Sequence, residues 1–124
     1  MTSVYQKYQR QSVTSHTAGE QLVLLLERAG VELAKAIEYI NQNDITGAHN
    51  SIIHAENIFL HLIDSLDMSF PISKSLLSLY DFILERLTAA NIKKDVSIIE
   101  EIRPLVSELH ETWKTAEQLS RNGA

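Results

Sequence analysis

The feature that most constrains the fold of this 124-residue sequence is an apolar repeat with helical spacing in four separate segments. From Ile45 to Leu66, the steps between apolar residues alternate between three and four, which is typical of a helix that packs along one face. The same period occurs over residues 22–40, 72–90 and 99–116, and no segment has the alternating pattern of a strand. The pattern therefore predicts an all-α protein.

Capping residues mark the predicted helix ends. Thr17 followed by Glu20 forms a capping box before the first helix, and Asp44 and Asp95 are suitable N-caps for the second and fourth helices. Asn91 is predicted to cap the end of the third helix. Because the connections are short, consecutive helices should be antiparallel neighbours, so we expect an up-down-up-down four-helix bundle.

The bundle is predicted to span residues 17–120. Residues 1–16 are rich in Gln, Ser, Thr and Tyr without a helical period, and we expect an irregular N-terminal arm there. Residues 121–124 should fray. The second helix should end near Asp67. Pro104 lies inside the fourth helix, where it makes either a simple kink on the solvent face or a bend that shapes a groove.

Composition excludes several classes of protein. The net charge of −5 makes nucleic acid an unsuitable partner, and the absence of cysteine excludes disulfides and Cys-based metal or catalytic sites. The longest apolar run, residues 22–26, is far shorter than a membrane span. The first residues lack the features of a secretory signal, so we expect a soluble cytoplasmic protein.

Few residues suggest catalysis. His54 and His61 share a helix face, and Asp64 lies one turn from His61, so these three residues support a metal-binding bundle as a minor hypothesis. However, the Glu-x-x-His motifs of carboxylate bundles and the glycine-rich phosphate loop are both missing from the sequence. We therefore expect no enzymatic activity, no cofactor and no metal.

The helices carry more apolar residues than one packed face needs. These residues form second stripes, which bury either in a wide core, in a homo-oligomer interface or against a helix of a partner. The second stripes comprise Val23, Leu24, Ile53, Leu60, Leu77, Leu84, Ile98 and Leu105. Tyr5, Tyr8 and Val13 add large apolar groups to the arm, which could cover such a groove until a partner displaces it.

Short motifs occur along nearly the whole chain. They are Tyr5-x-x-Tyr8 with Val13, Thr17-x-Gly19-Glu20, Ala55-x-Asn57-Ile58, Leu79-Tyr80-Asp81-Phe82 through Arg86-Leu87, Ala90-Asn91-Ile92-Lys93 with Asp95, and Glu108-Leu109 with Thr112-Trp113-Lys114. Together these motifs resemble the FliS family of flagellar export chaperones. Two positions depart from the family pattern. Ala18 replaces a proline, and Arg28 replaces the glycine of Leu-Tyr-x-Gly, which should change the groove beside the first helix.

The resemblance implies a helical bundle that binds the disordered C-terminal segment of flagellin in the cytoplasm. The chaperone would prevent premature filament assembly and deliver flagellin to the flagellar type III export apparatus. On this basis and from the second stripes, the predicted partner-binding residues are Tyr5, Tyr8, Val13, Leu22, Leu26, Ile53, Asn57, Leu60, Leu77, Tyr80, Leu84 and Asn91.

Overall fold

A computed structural model describes the backbone of residues 17–123 and the side chains of residues 17–120. This part of the chain forms four helices: α1 (Ala18–Asn41), α2 (Ile45–Asp64), α3 (Ile72–Lys93) and α4 (Val96–Gly123). Within it there is no strand. The predicted all-α class is therefore confirmed, whereas the fraying expected at the C-terminus stays a prediction.

Side-chain hydrogen bonds fix the helix starts as predicted. The Thr17 hydroxyl accepts the backbone N–H of Glu20 at 3.0 Å, and the Asp44 carboxylate accepts that of Gly47 at 2.9 Å. Each such cap stabilises a helix by roughly 1 kcal/mol. The Asp95 carboxylate accepts the backbone N–H of Ser97 at 2.8 Å, just where α4 begins. Local chemistry therefore decides where α1, α2 and α4 begin.

Two predicted helix ends are wrong. Asn91 does not cap α3. The helix continues to Lys93, and its C-cap is Lys94, which has the left-handed conformation (φ 50°). The second helix ends at Asp64, three residues before the predicted end at Asp67. The Asp67 carboxylate instead accepts the backbone N–H and the hydroxyl of Ser69, at 3.0 and 2.6 Å. These hydrogen bonds lower the pKa of Asp67 and hold the chain in a turn.

The helices pack as an antiparallel ring. α1 packs against α2 and α4, and α3 packs against the same two helices. A hydrogen bond between His49 and Asn91 joins the start of α2 to the end of α3, and one from Thr17 to Glu117 joins the start of α1 to the last turns of α4. Arg86 in α3 likewise pairs with Glu101 in α4. These pairs confirm the up-down-up-down bundle.

The core consists of the main apolar stripes of all four helices. Its large, completely enclosed apolar side chains are Leu26, Leu33, Ile52, Phe59, Tyr80, Ile83, Leu87, Ile99, Ile102 and Val106. The rings of Phe59 and Tyr80 meet with their centres 5.8 Å apart and their planes tilted by 54°. Burial also raises the pKa of Tyr80. The stripes predicted from the sequence are therefore the faces that meet in the core.

Pro104 lies on the solvent face of an uninterrupted helix. α4 runs through it, its side chain is exposed, and its ring replaces the backbone N–H that would otherwise reach the carbonyl of Glu100. The structure therefore agrees with a tolerated proline on the solvent face.

The replacement Pro104→Ala should increase the free energy of unfolding, by up to about 3 kcal/mol, because it restores a helical hydrogen bond and removes a steric clash. Urea unfolding followed by circular dichroism measures the change. A decrease in stability would contradict this view and would mean that the core requires the bend.

Candidate functional site

An apolar depression lies at the end of the bundle where α1 and α3 begin and α2 and α4 finish. We call it the end groove; it has a volume of about 480 Å³. Its apolar lining comes from all four helices and the α2–α3 loop, and includes Leu22, Leu25, Leu66, Phe70, Leu76 and Trp113. Most of these side chains are half-buried because they pack against the core on one side only. The groove therefore offers apolar surface that the four helices do not cover.

A second apolar depression runs between α3 and α4. This α3/α4 groove has a volume of about 320 Å³ and is lined by Leu79, Leu105 and Leu109. It shares Ile72, Leu76 and Trp113 with the end groove. The first turns of α3 are thus flanked by apolar surface on both sides, and a single extended partner could follow it.

Four of the large apolar side chains that are exposed belong to one segment of the chain at this end of the bundle. Leu60, Met68, Phe70 and Ile72 are between 50% and 59% exposed, and they lie close together in the chain, from the last turns of α2 to the first residue of α3. Soluble proteins seldom leave such patches uncovered unless they bind something there. This segment is therefore a strong candidate for partner contact.

The second stripes of α2 and α3 lie along the outer seam between these helices. The Thr88 hydroxyl donates to the Glu56 carboxylate at 3.1 Å across the seam. Leu60 lies one turn after Glu56 in α2, and Leu84 lies one turn before Thr88 in α3. Because these two helices are antiparallel, both leucines lie on the same seam. Leu60 is 53% exposed, whereas Leu84 packs against the core. Of the other predicted residues, Ile53 and Leu77 are half-buried.

The remaining predicted contact residues fall in different environments. Leu22 lines the end groove, and Asn57 is exposed on α2. Leu26 and Tyr80 are 0% and 1% exposed, because they belong to the core stripes. Tyr80 also lines the end groove, but at 1% exposure it offers almost no surface there. Tyr5, Tyr8 and Val13 lie outside the described residues.

Asn91 has an internal partner on each side. Its side-chain amide hydrogen-bonds the His49 ring at 3.0 Å, and its side-chain oxygen accepts from the Lys94 ammonium at 2.8 Å. It thereby ties α2 to the left-handed turn between α3 and α4. Asn91 has a structural role in this position, whatever it contacts besides.

Arg28 pairs with a buried carboxylate on the same helix. Glu32 is 1% exposed. The guanidinium of Arg28, one turn earlier in α1, lies 2.9 Å from the Glu32 carboxylate. His54 approaches the other carboxylate oxygen to 3.6 Å from α2, and Lys35 lies at 3.8 Å. Neither oxygen of Glu32 has a hydrogen bond of normal geometry. The carboxylate therefore depends on basic neighbours in place of hydrogen bonds.

His54 thus faces Glu32 instead of joining His61 and Asp64 in one site. Across residues 17–120, no group of three or more His, Asp or Glu side chains is arranged to hold a metal ion.

The sequence analysis missed most of the end groove. Leu66, Leu76 and Trp113 lie on predicted core stripes, so periodicity alone assigned them to the interior, and Leu25 was likewise placed there. Phe70 falls between the predicted second and third helices, outside any apolar stripe. Its large aromatic side chain between Met68 and Ile72 was the one available signal, because turns seldom need several large apolar residues.

Fold and grooves together define a class: a helical bundle with open apolar surface suited to binding another polypeptide. No helix in the described part of the chain is long and apolar enough to cross a membrane. The sequence matches the family model described as "Flagellar protein FliS" over residues 1–120.

Three curated relatives are each named flagellar secretion chaperone FliS. The relative from Bacillus subtilis (strain 168) is 31% identical, covering 94% of this chain and 88% of the relative. The relative from Salmonella typhimurium is 30% identical, covering 83% and 78% respectively, and that from Escherichia coli K12 is 29% identical, covering 91% and 86%. The chain belongs to the FliS family, as the sequence motifs indicated.

Arg28→Leu should destabilise the fold by about 1–3 kcal/mol, because it removes the closest positive charge from a buried carboxylate. The double variant Arg28→Leu, Glu32→Leu should regain that stability, because a buried ion pair can be replaced by apolar side chains with little loss. Thermal and urea unfolding of both variants measure the difference. If the double variant is less stable than Arg28→Leu alone, the Glu32 carboxylate stabilises the fold independently of Arg28.

Proposed function

We propose that this protein is a cytoplasmic chaperone that binds the C-terminal segment of flagellin, prevents its premature polymerisation and delivers it to the flagellar type III export apparatus. Membership of the FliS family supports this role. The observation that carries the proposal is the continuous apolar surface formed by the end groove and the α3/α4 groove. No enzymatic activity is part of this function.

The shape of this surface suits a disordered cargo that becomes partly helical when bound. An amphipathic helix can place its apolar face in a groove between two helices, and its polar face remains in water. Part of the contact energy then orders the cargo. The complex can consequently be specific and still release flagellin at the export apparatus.

The N-terminal arm enters this scheme as a competitor. Ala18 and Gly19 line the end groove, so α1 begins at the rim of this groove. We infer that Tyr5 and Tyr8 compete with flagellin for this apolar surface. The competition would protect the groove from unrelated apolar sequences in the absence of cargo.

Binding of a flagellin C-terminal peptide tests the proposal directly. Phe70→Asp and Leu60→Asp should each weaken binding at least about tenfold, because a charge would replace an exposed apolar contact. Ile45→Asp is the matched control: Ile45 has the same 53% exposure as Leu60 but lies at the opposite end of α2. Isothermal titration calorimetry measures all three.

Unchanged affinity in the Phe70 and Leu60 variants would show that the groove is not the flagellin site. If the unchanged protein does not bind the peptide at micromolar concentration, the proposed cargo is wrong. A stable dimer whose mass does not change when peptide is added would favour the homo-oligomer alternative. Circular dichroism confirms that the variants remain folded.

Removal of residues 1–16 should increase the affinity for the flagellin peptide about two- to tenfold, as expected when a competing segment occupies the groove for most of the time. The full-length double variant Tyr5→Ser, Tyr8→Ser should have a similar effect without shortening the chain. A loss of affinity in both proteins would instead mean that the arm contacts flagellin directly.

A further inference from the structure

One carboxylate interrupts the apolar lining of the end groove. Among the described residues that line this groove, Asp67 is the only acidic one, and none is a lysine or an arginine. Asp67 is exposed, and it lies in the same loop as Phe70, which is 59% exposed. A partner whose apolar residues enter the groove beside Phe70 therefore comes close to a negative charge.

Hydrogen bonds hold Asp67 in a defined position. Its backbone carbonyl accepts the N–H of Phe70 at 3.2 Å and the hydroxyl of Ser73 at 2.5 Å. Ser73 is 3% exposed, so its hydroxyl anchors this turn to the start of α3. Both hydrogen bonds from Ser69 reach the same carboxylate oxygen, Oδ1, and no donor among residues 17–120 reaches Oδ2. The turn thus presents a charge and an aromatic ring without the entropic cost of ordering a loose loop.

A second turn with the same hydrogen bonds shows what Asp67 lacks. The Asp95 carboxylate accepts the backbone N–H and the hydroxyl of Ser97 at 2.8 and 2.7 Å. These hydrogen bonds and the positive charges of Lys93 and Arg86 lower the pKa of Asp95, whereas hydrogen bonds alone lower the pKa of Asp67. None of the ion pairs among residues 17–120 includes Asp67. The described bundle therefore leaves the charge of Asp67 without a basic partner.

The end of α2 adds to the negative potential beside Asp67. This helix ends at Asp64, and His61 is the basic side chain of its last turn. The C-terminal end of a helix carries a partial negative charge of about half an elementary charge. Asp64 is exposed like Asp67. This edge of the end groove therefore favours a cation and repels an anion.

We propose that Asp67 selects flagellin segments in which a lysine or arginine accompanies the apolar residues that enter the end groove. The cation of that residue pairs with Oδ2 of Asp67, and a neighbouring apolar side chain packs beside Phe70. A charge pair next to an apolar contact fixes the register and direction in which the segment lies in the groove. This inference rests on the function proposed above.

The first variant is Asp67→Asn, which removes the charge but keeps an oxygen that can accept the hydrogen bonds from Ser69. It should weaken binding of the flagellin C-terminal peptide about two- to fivefold at low ionic strength, as expected for a partly exposed ion pair. Asp95→Asn is the matched control, because it changes an equivalent turn at the opposite end of the bundle that lines neither groove. Its affinity should not change. Isothermal titration calorimetry measures both variants.

The salt dependence of binding separates the charge from the turn. The affinities of the unchanged protein and of Asp67→Asn should converge as salt is added, because salt screens the ion pair. Ser69→Ala weakens the turn but keeps the charge, so it should keep the salt dependence of the unchanged protein. If Asp67→Asn loses the same affinity at every salt concentration, the turn and not the charge is responsible, and the inference is overturned.

The cargo side of the pair is tested with flagellin C-terminal peptides in which each lysine or arginine is replaced singly by glutamine. One of these peptides should bind the unchanged protein and Asp67→Asn equally well, because the peptide replacement and the variant remove the same ion pair. If every replaced peptide still distinguishes the two proteins, no single cation of the peptide pairs with Asp67, and the inference is wrong.

The outcomes separate this inference from the proposed function. If the unchanged protein binds the peptide and Asp67→Asn binds it equally well, Asp67 does not determine specificity, although the proposed function stands. Tighter binding by Asp67→Asn also overturns the inference, because the carboxylate would then oppose the cargo. If the unchanged protein does not bind the peptide, the proposed function and the inference both fail.

Discussion

Burial of apolar side chains between four helices is the interaction on which the rest of this structure depends. Helices of this length gain most of their stability from tertiary packing of one apolar face. Phe59 and Tyr80 fill the centre of the core, and aliphatic side chains from all four helices surround them. The core uses most residues of the main stripes and one second-stripe residue, Ile98. Other apolar residues of both sets, such as Leu60 and Trp113, remain at least partly exposed at the surface.

The exposed apolar residues add less stability to the free protein than buried ones would, but they offer surface for a partner. Full burial of an apolar side chain such as Phe70 or Ile72 would stabilise the fold by roughly 1.5–3 kcal/mol. Both are instead more than half exposed beside the end groove. A protein that must cover a partner's apolar segment has to forgo this stabilisation in the free state. The grooves therefore agree with a chaperone better than with a bundle selected for stability alone.

The buried carboxylate of Glu32 is a different kind of departure from an ideal bundle. Arg28 and His54 reach it from two helices, so the charge links α1 to α2 through contacts that an apolar pair would not provide. A buried ion pair usually adds little net stability because desolvation offsets the attraction. Arg28 also places a positive charge on the exposed side of α1.

The sequence by itself determined the helices, the main core stripes and the caps at Thr17 and Asp44, because helical periodicity and capping depend on residues within one or two turns of each other. The tertiary structure decided which apolar residues stay uncovered: Trp113 and Tyr80 both lie on core stripes and line the end groove, but Trp113 is half-buried whereas Tyr80 is 1% exposed. The position of a side chain on its helix does not reveal how closely the neighbouring helices approach it. Only the packed bundle sets those distances, and with them the grooves to which we assign the function of this protein.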